Sequence, residues 1–571
     1  MATVPCKGCF RRQVDGVRPK CLLNTTHRWL ADGKQQSSAI DSMLMSLELS
    51  SEHNRSITVE LDNDSPYCMD EPCSYYLNGK KVKESDRNVN TIDGLTPDTD
   101  YVLKVCGEEF CEEISFRTKK ELCCIDVRSV GAKGDGVSND TAFLQAAISA
   151  CPEGGTVHIT EGTYLSGPLF LKSNITVWLD RDAVLLGDSD RSHYPVLPGM
   201  VREEYGFSDE VSLASWEGNP LSSFASLITG IGVSNVDFIG SGIIDGNAAA
   251  SDWWVDVNKK RGAWRPKTVF LNNCSNVRFQ GVTVKNSPSW TIHPYYSNKV
   301  SFFDMDITNP DNSPNTDGFD PESCKDVEII GVRISVGDDC IAIKSGKMYM
   351  GINHYQPADN IVIRNCRLEH GHGSVTVGSE VASGVSGINI SKCLFIETDR
   401  GLRIKTRRGR GEKSVIDDVN LSNIRMENVR MPFTVNMFYF CDPDGHTSYV
   451  QDQKPRPVDE RTPRIGRISA KNIRCTGVNA SLVCAYGLPE RPIEELEFEN
   501  IDAEFLPETE RKAECPIMMD GFEKMNGRSV YLKNAGKITI NNVRIKGAVN
   551  KAPELINVAE ENIKGLSYAE V

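Results

Sequence analysis

No run of apolar residues in this 571-residue chain is long enough to span a membrane as a helix. Net positive charge is missing as well. Lys and Arg number 64 against 78 Asp and Glu, a formal balance of −14, which argues against a nucleic-acid surface. The same balance repels an acidic ligand at long range, so an acidic substrate would have to be held by local cations. Residues Met1 to Arg12 lack the apolar core of a secretory signal, and a cytoplasmic location is the expectation. A regular cysteine framework is absent too. The 19 cysteines are odd in number and scattered, a poor disulfide set. Cys340, Cys366 and Cys393 sit in apolar strand patterns, as core thiols do. Two close pairs, Cys68 with Cys73 and Cys106 with Cys111, could bridge across strands. Cys6-Lys7-Gly8-Cys9, with Cys21 and His27, has no second matched pair and reads as incidental thiols rather than a zinc site.

What is present is a strand-rich chain too long for one ordinary core. Residues 1–42 are polar and irregular. Residues 43–119 read as a small β-sandwich: Ser56 to Leu61 alternates with period 2, and Asn78-Gly79 signals a hairpin. Leu95-Thr96-Pro97-Asp98-Thr99-Asp100-Tyr101 resembles the corner before a late strand of a fibronectin type III domain, where the Tyr packs and bonds. From about residue 120 to 571 the texture is a repeat. Asp140 caps a helical stretch through Ile148. Short strands of one pattern then begin at Val277, Val327, Ile361, Ile388, Val419, Ile468, Leu496 and Ile538. Their spacing fits the coils of a parallel β-helix. Asn423, Asn472, Asn500 and Asn542 recur at a turn position, as a side-chain ladder or as repeated left-handed turns. The helix at 140–150 is placed to cap the first coil, and the tail 550–571 could cap the last.

Four motifs ride on this repeat: Asn315-Thr316-Asp317, Gly337-Asp338-Asp339, Gly371-His372-Gly373 and Arg403-Ile404-Lys405. Asp338 lies eleven residues after Val327, and His372 eleven after Ile361. Asp317 and Arg403 lie at comparable offsets in their own coils. Coils stack about 4.8 Å apart, so all four motifs can form one column. Asp338 and Asp339 can share a cleft only where the chain bends, which Gly337 could permit. Crowded carboxylates raise at least one pKa, and a carboxyl kept protonated near neutrality is what glycosidic cleavage needs. An acidic turn or a calcium site is the bland alternative; it leaves His372 and the two cations unexplained. Arg410 and Lys413 read as members of a solvated basic loop.

In this order on this repeat, the motifs resemble glycoside hydrolase family 28, the polygalacturonases. Gly131-Ala132-Lys133-Gly134-Asp135-Gly136 and Tyr486-Gly487-Leu488-Pro489-Glu490 also look like bacterial members, and the N-terminal module is similar to that of exo-acting ones. The resemblance implies an all-β fold, a right-handed parallel β-helix, and inverting hydrolysis of α-1,4-galacturonosyl bonds in a pectic oligo- or polysaccharide without metal or cofactor. Carried onto this chain, Asp338 is the general acid, Asp317 and Asp339 hold and activate water, and His372 tunes the acid. Arg403 and Lys405 grip a galacturonate carboxylate. Asn315, Tyr439, Lys344, His293 and Arg265 are further substrate contacts, with Trp290 and Arg261 beside them. Inversion implies acid and water-activating groups about 6.5–9.5 Å apart. The module and the long segments 190–225 and 440–465 favour exo action from the non-reducing end. The alternatives are a calcium-dependent lyase, a rhamnogalacturonan or xylogalacturonan hydrolase, and a non-catalytic carbohydrate-binding solenoid.

Overall fold

The protein is described from a computed structural model covering residues 45–202 and 210–570. The irregular segment 1–42 and the Cys6, Cys9, Cys21, His27 set lie outside the described residues.

Seven antiparallel strands build the first unit: β1 (Ser46–Glu52), β2 (Ser56–Asp62), β3 (Cys68–Leu77), β4 (Lys80–Arg87), β5 (Val89–Asp93), β6 (Asp100–Cys106) and β7 (Cys111–Arg117). They form a sheet of order β1-β2-β5 and a sheet of order β4-β3-β6-β7. Ile57, Val59, Tyr75, Leu103 and Val105 alternate inward and make a separate core. Asn78 and Gly79 both take positive φ in the hairpin turn, which matches the right-handed strand twist. The Tyr101 hydroxyl accepts from the Thr96 amide at 3.0 Å. Cys106 and Cys111 are disulfide-bonded, whereas Cys68 and Cys73 are free thiols.

This unit is clamped to the outside of the next. Glu60 is buried and takes both Arg364 Nε and Nη2 at 2.8 Å. Asn365 donates to the same carboxylate at 2.7 Å, and buried His53 meets Asp237 at 3.1 Å.

Residues 124–569 wind into a right-handed parallel β-helix, one hydrogen-bonded sheet of 30 strands with a four-stranded parallel strip and two short antiparallel pairs beside it. Val277, Val300, Val327, Ile361, Ile388, Val419, Ile468, Leu496 and Ile538 stack in register on one rung position. Each points inward to one continuous apolar core. Asn423, Asn472, Asn500 and Asn542 all have φ between +52° and +55°. Each of the last three donates its amide to the one before, at 3.1, 3.0 and 2.8 Å. Ladder and left-handed turn are therefore one feature, because Asn tolerates that backbone and offers a side-chain amide there.

The helix Thr141–Ala150 closes the first coil, burying Leu144, Ala147 and Ile148. Asp140 stands at its N-cap position without capping it. Its carboxylate instead takes the Lys133 and Gly134 amides at 2.8 and 2.9 Å, tying the preceding loop to the start of the helix. The tail does not cap the last coil. Glu554–Ala569 is itself a final rung paired with the strand Arg528–Lys546, and among the described residues no further strand pairs with it.

Candidate active site

Two neighbouring coils bring the carboxylates together on an outer wall. Along that wall Ile341, Val375, Leu402 and Phe433 pair in parallel and point inward. Alternation turns Arg403 and Lys405 outward. Asp317 and the pair Asp338-Asp339 precede their own wall strands. Asp338 and Asp339 lie in a bend rather than a strand, which lets neighbours share a cleft. Gly337 serves this bend through space, not through an unusual φ. A Cβ there would stand 2.6 Å from Ser313 O and 2.7 Å from Pro310 O.

Asp317, Asp338 and Asp339 each place an oxygen within 4.8 Å of the others. This is tighter than the separation inversion was expected to require. Oxygens at that spacing can both accept from one water at about 2.8 Å, so the cluster has the dimensions to hold a water between carboxylates rather than across a wide gap. The same three oxygens could ligate a cation, but the charge of Asp339 is already met by protein. Asp339 takes Arg403 Nη1 at 3.0 Å and Lys405 Nζ at 2.9 Å. Burial works against the charge of Asp339, yet Lys405 and Arg403 hold its carboxyl well below the usual range.

Asp317 goes the other way. Burial, then Asp320 and Asp338, push it well above the usual carboxylate range. Burial also lifts Asp320 to about 8, against the pull of Lys344. Lys344 is a buried hub, with Nζ 3.3 Å from Asp320, 3.5 Å from Glu380 and 4.0 Å from Asp317. It also lies 4.6 Å above the Trp290 ring. His372 joins from the next coil: its amide donates to Asp338 O at 3.1 Å, and its Nδ1 meets Asp399 at 3.0 Å. Burial opposes the imidazolium, but the Asp399 bond and the Asp338 charge raise the pKa of His372 overall.

The remaining sequence candidates fall around this cluster. Arg265 donates to Asn315 Oδ1 at 2.6 Å and to two backbone carbonyls, so Asn315 is held from below. Tyr439 is buried, with Lys405 Nζ 5.4 Å above its ring. His293 is fully buried and pairs with Glu322 at 3.0 Å; its neighbour Ile292 points into the core in line with Phe319 and Ile341, so His293 faces outward on the same wall, under the layer that covers it there. Arg261 pairs with Asp252 at 2.6 Å out on a loop. Arg410 is not solvated: it is 2% exposed and binds Ser379 and Asp442. The loop carrying Asp442 folds over it, which a linear reading of a basic run does not reveal. Lys413 is exposed.

Several site groups escaped the sequence reading. Asp320 follows Asp317 by three residues and Asp399 follows His372 by 27, one coil on, so register held a signal for both. Glu322, Glu380 and Lys267 carried none, because isolated charges in strands are usually solvated. Burial of Lys267 lowers it to about 8, and burial raises Glu322 to about 7.

A second layer covers the wall on the N-terminal side of the cluster. Residues 210–224 cross it: Asn272 Nδ2 reaches Ser212 O at 2.7 Å, Tyr295 reaches Ser212 Oγ at 3.1 Å, and Lys267 donates to Ser215 O. Trp216 stacks on Trp264, centroids 4.9 Å apart and 4° from parallel. On the opposite flank Asp442 ties Arg407, Arg410 and Lys347 together.

The fold and site together define a parallel β-helix protein with a charge-compensated carboxylate cluster on one wall. The chain belongs to the glycosyl hydrolases family 28, whose model matches residues 208–515, more than half of it. A second model, rhamnogalacturonase A/epimerase, pectate lyase-like, matches residues 124–253. A probable polygalacturonase of Vitis vinifera is 32% identical over 336 residues, covering 57% of this chain and 65% of that protein. An exo-poly-alpha-D-galacturonosidase of Dickeya chrysanthemi is 24% identical over 414 residues, covering 64% and 66%. The chain thus spans just under two thirds of the length of these two relatives. Among solved structures, the family 28 exopolygalacturonase of Yersinia enterocolitica superposes with a TM-score of 0.58 at 18% identity, covering 92% of this chain and 98% of its own. A hyperthermoactive exopolygalacturonase from Thermotoga maritima gives 0.56 at 22%, covering 78% and 91%. At such identity these two likenesses concern the fold.

Proposed function

We propose that this protein hydrolyses α-1,4-galacturonosyl bonds of polygalacturonate or its oligomers with inversion, removing product from the non-reducing end. The observation that carries the reading is the cluster of Asp317, Asp338 and Asp339 with Arg403 and Lys405 fixed on Asp339. Asp338, the most accessible of the three carboxylates, donates the proton to the leaving oxygen. His372, charged through Asp399, orients it. Water sits between Asp317 and Asp339. A carboxylate with raised pKa is the stronger base once ionised, and Asp317 with Asp320 supplies that base. Arg403 and Lys405 keep Asp339 ionised and present positive charge to a uronate carboxylate beside the cleaved bond.

Exo action is supported by the layer of residues 210–224, which blocks the wall on one side of the cluster, and by the exo-acting relatives. Chromatography of polygalacturonate digests at early times tests it. The expected result is one short saturated product. A ladder of mixed oligomers contradicts the exo reading, and unsaturated, chelator-sensitive products contradict hydrolysis itself.

A further inference from the structure

The covering layer reaches the site as one tight turn. Trp216 and Asn219 exchange backbone hydrogen bonds at 2.9 and 3.1 Å, and the two residues between them, Glu217 and Gly218, have φ of +48° and +72°. Two consecutive left-handed residues in a two-residue loop are the geometry that Asn-Gly prefers. Glu is disfavoured at the first of them, and a side chain held at backbone cost is a pointer to function.

The turn is pinned on every side. Trp216 is clamped between Trp264 and the Arg265 guanidinium, the latter 5.3 Å from its ring. The Lys347 amide donates to Gly218 O at 2.8 Å. Gly218 lies so close to Glu380 that a Cβ would stand 2.7 Å from its Cγ. Glu380 in turn pairs with Lys344, and Lys344 with Asp317. Only two side chains therefore separate the turn from the water-binding carboxylate. A second route agrees: Arg265 feels the charges of both Glu217 and Asp317.

Glu217 itself keeps an open surface while protein crowds its flanks, as for a side chain in the throat of a cleft. Burial raises its carboxyl, against the pull of Lys347. An acid here is unexpected for a site that receives an anionic sugar. Lys344, Lys347 and Arg265 set positive charge around Glu217, which offsets the repulsion between two anions and leaves Glu217 able to accept from a hydroxyl.

We propose that Glu217 is the specificity residue that reads the free 4-hydroxyl of the terminal sugar. This rests on the exo reading above. In an α-1,4 chain only the non-reducing end carries a proton at that oxygen. Every interior residue is substituted there, and its extension would run into the Trp216 turn. An end therefore gains a hydrogen bond to a charged acceptor where an interior residue gains a clash.

The test compares trigalacturonate with the same trimer carrying a 4,5-unsaturated terminal sugar, which lacks that hydroxyl. Wild type, Glu217→Asn and Glu217→Gln are compared by kcat/KM. Binding of both trimers to the inactive Asp338→Asn background, with and without Glu217→Asn, gives a readout that needs no turnover. Wild type should favour the saturated trimer by about 10–10²-fold, the factor for a hydrogen bond to a charged group. Glu217→Asn should bring the ratio to within about 3-fold while melting at or above the wild-type temperature, since Asn suits the turn. Glu217→Gln, with its shape but not its charge, should fall between. An unchanged ratio in Glu217→Asn overturns the proposal. A mixed ladder from the wild type overturns the exo reading instead, and the two failures are seen in separate measurements.

Discussion

Lys405 Nζ donates to Asp339 Oδ2 at 2.9 Å on a carboxylate that is 1% exposed. Arg403 takes the other oxygen, so Asp339 is ionised and fixed before substrate arrives. Lys405→Met leaves half of this compensation. The expected outcome is a loss of about 3 kcal/mol of stability in urea, as for a broken buried pair, with a large fall in kcat/KM. The pH dependence has a definite sign. Asp339 is held below its unfolded value, so its contribution is present above about pH 4 and fades as pH falls through the folded value. The gap between variant and wild type should stay constant from pH 8 to pH 5 and narrow below about pH 4.

Asp338 is the least buried carboxylate of the cluster and makes no ion pair in the described residues. Its replacement should therefore spare the fold. Asp338→Asn is expected to cut kcat about 10²–10⁴-fold with little change in KM or melting temperature. Steady-state kinetics on trigalacturonate with calorimetric melting checks this; activity equal to wild type removes Asp338 from the chemistry.

Asp320 titrates at about 8 when folded and near 4 when unfolded. The folded state thus keeps a proton that the unfolded state releases, and stability falls as pH rises through that window. Asp320→Asn removes the titration. Its stability curve from pH 4 to pH 8 should be flatter than that of wild type, with the variant gaining most at the upper end. Denaturant midpoints across the range measure it.

Asn472 accepts from Asn500 and donates to Asn423 while sitting at φ +55°. Asn472→Gly keeps the backbone and loses the ladder, costing about 1–2 kcal/mol. Asn472→Val adds the left-handed penalty, about 1–2 kcal/mol more. Equal melting temperatures for the two variants would show that the turn conformation carries no weight.

Much of this was legible because solenoid register turns sequence spacing into distance. The offsets of Asp338 and His372 from Val327 and Ile361 foretold a shared column, and the same logic reached Asp317, Arg403 and Lys405. Register could also have given Asp320 and Asp399, had the three-residue and one-coil spacings been followed. It could not give Glu217, which lies on the layer over the wall, or Lys267 and Glu380, which meet that layer at Ser215 and Gly218. The burial of Arg410 depends on Asp442 folding back from a loop 32 residues on. Charge and spacing specify what lies along the wall; what lies over it is set by loops whose path has no period.

Proton NMR of trigalacturonate hydrolysis, followed from the first minutes, probes the account most directly. It reports bond cleaved, end attacked and anomer formed in one experiment. The account predicts saturated products split from the non-reducing end, with the β-anomer of the released sugar appearing first and mutarotating later. The α-anomer first, or a double bond in the product, would contradict water delivery by the Asp317, Asp338 and Asp339 cluster.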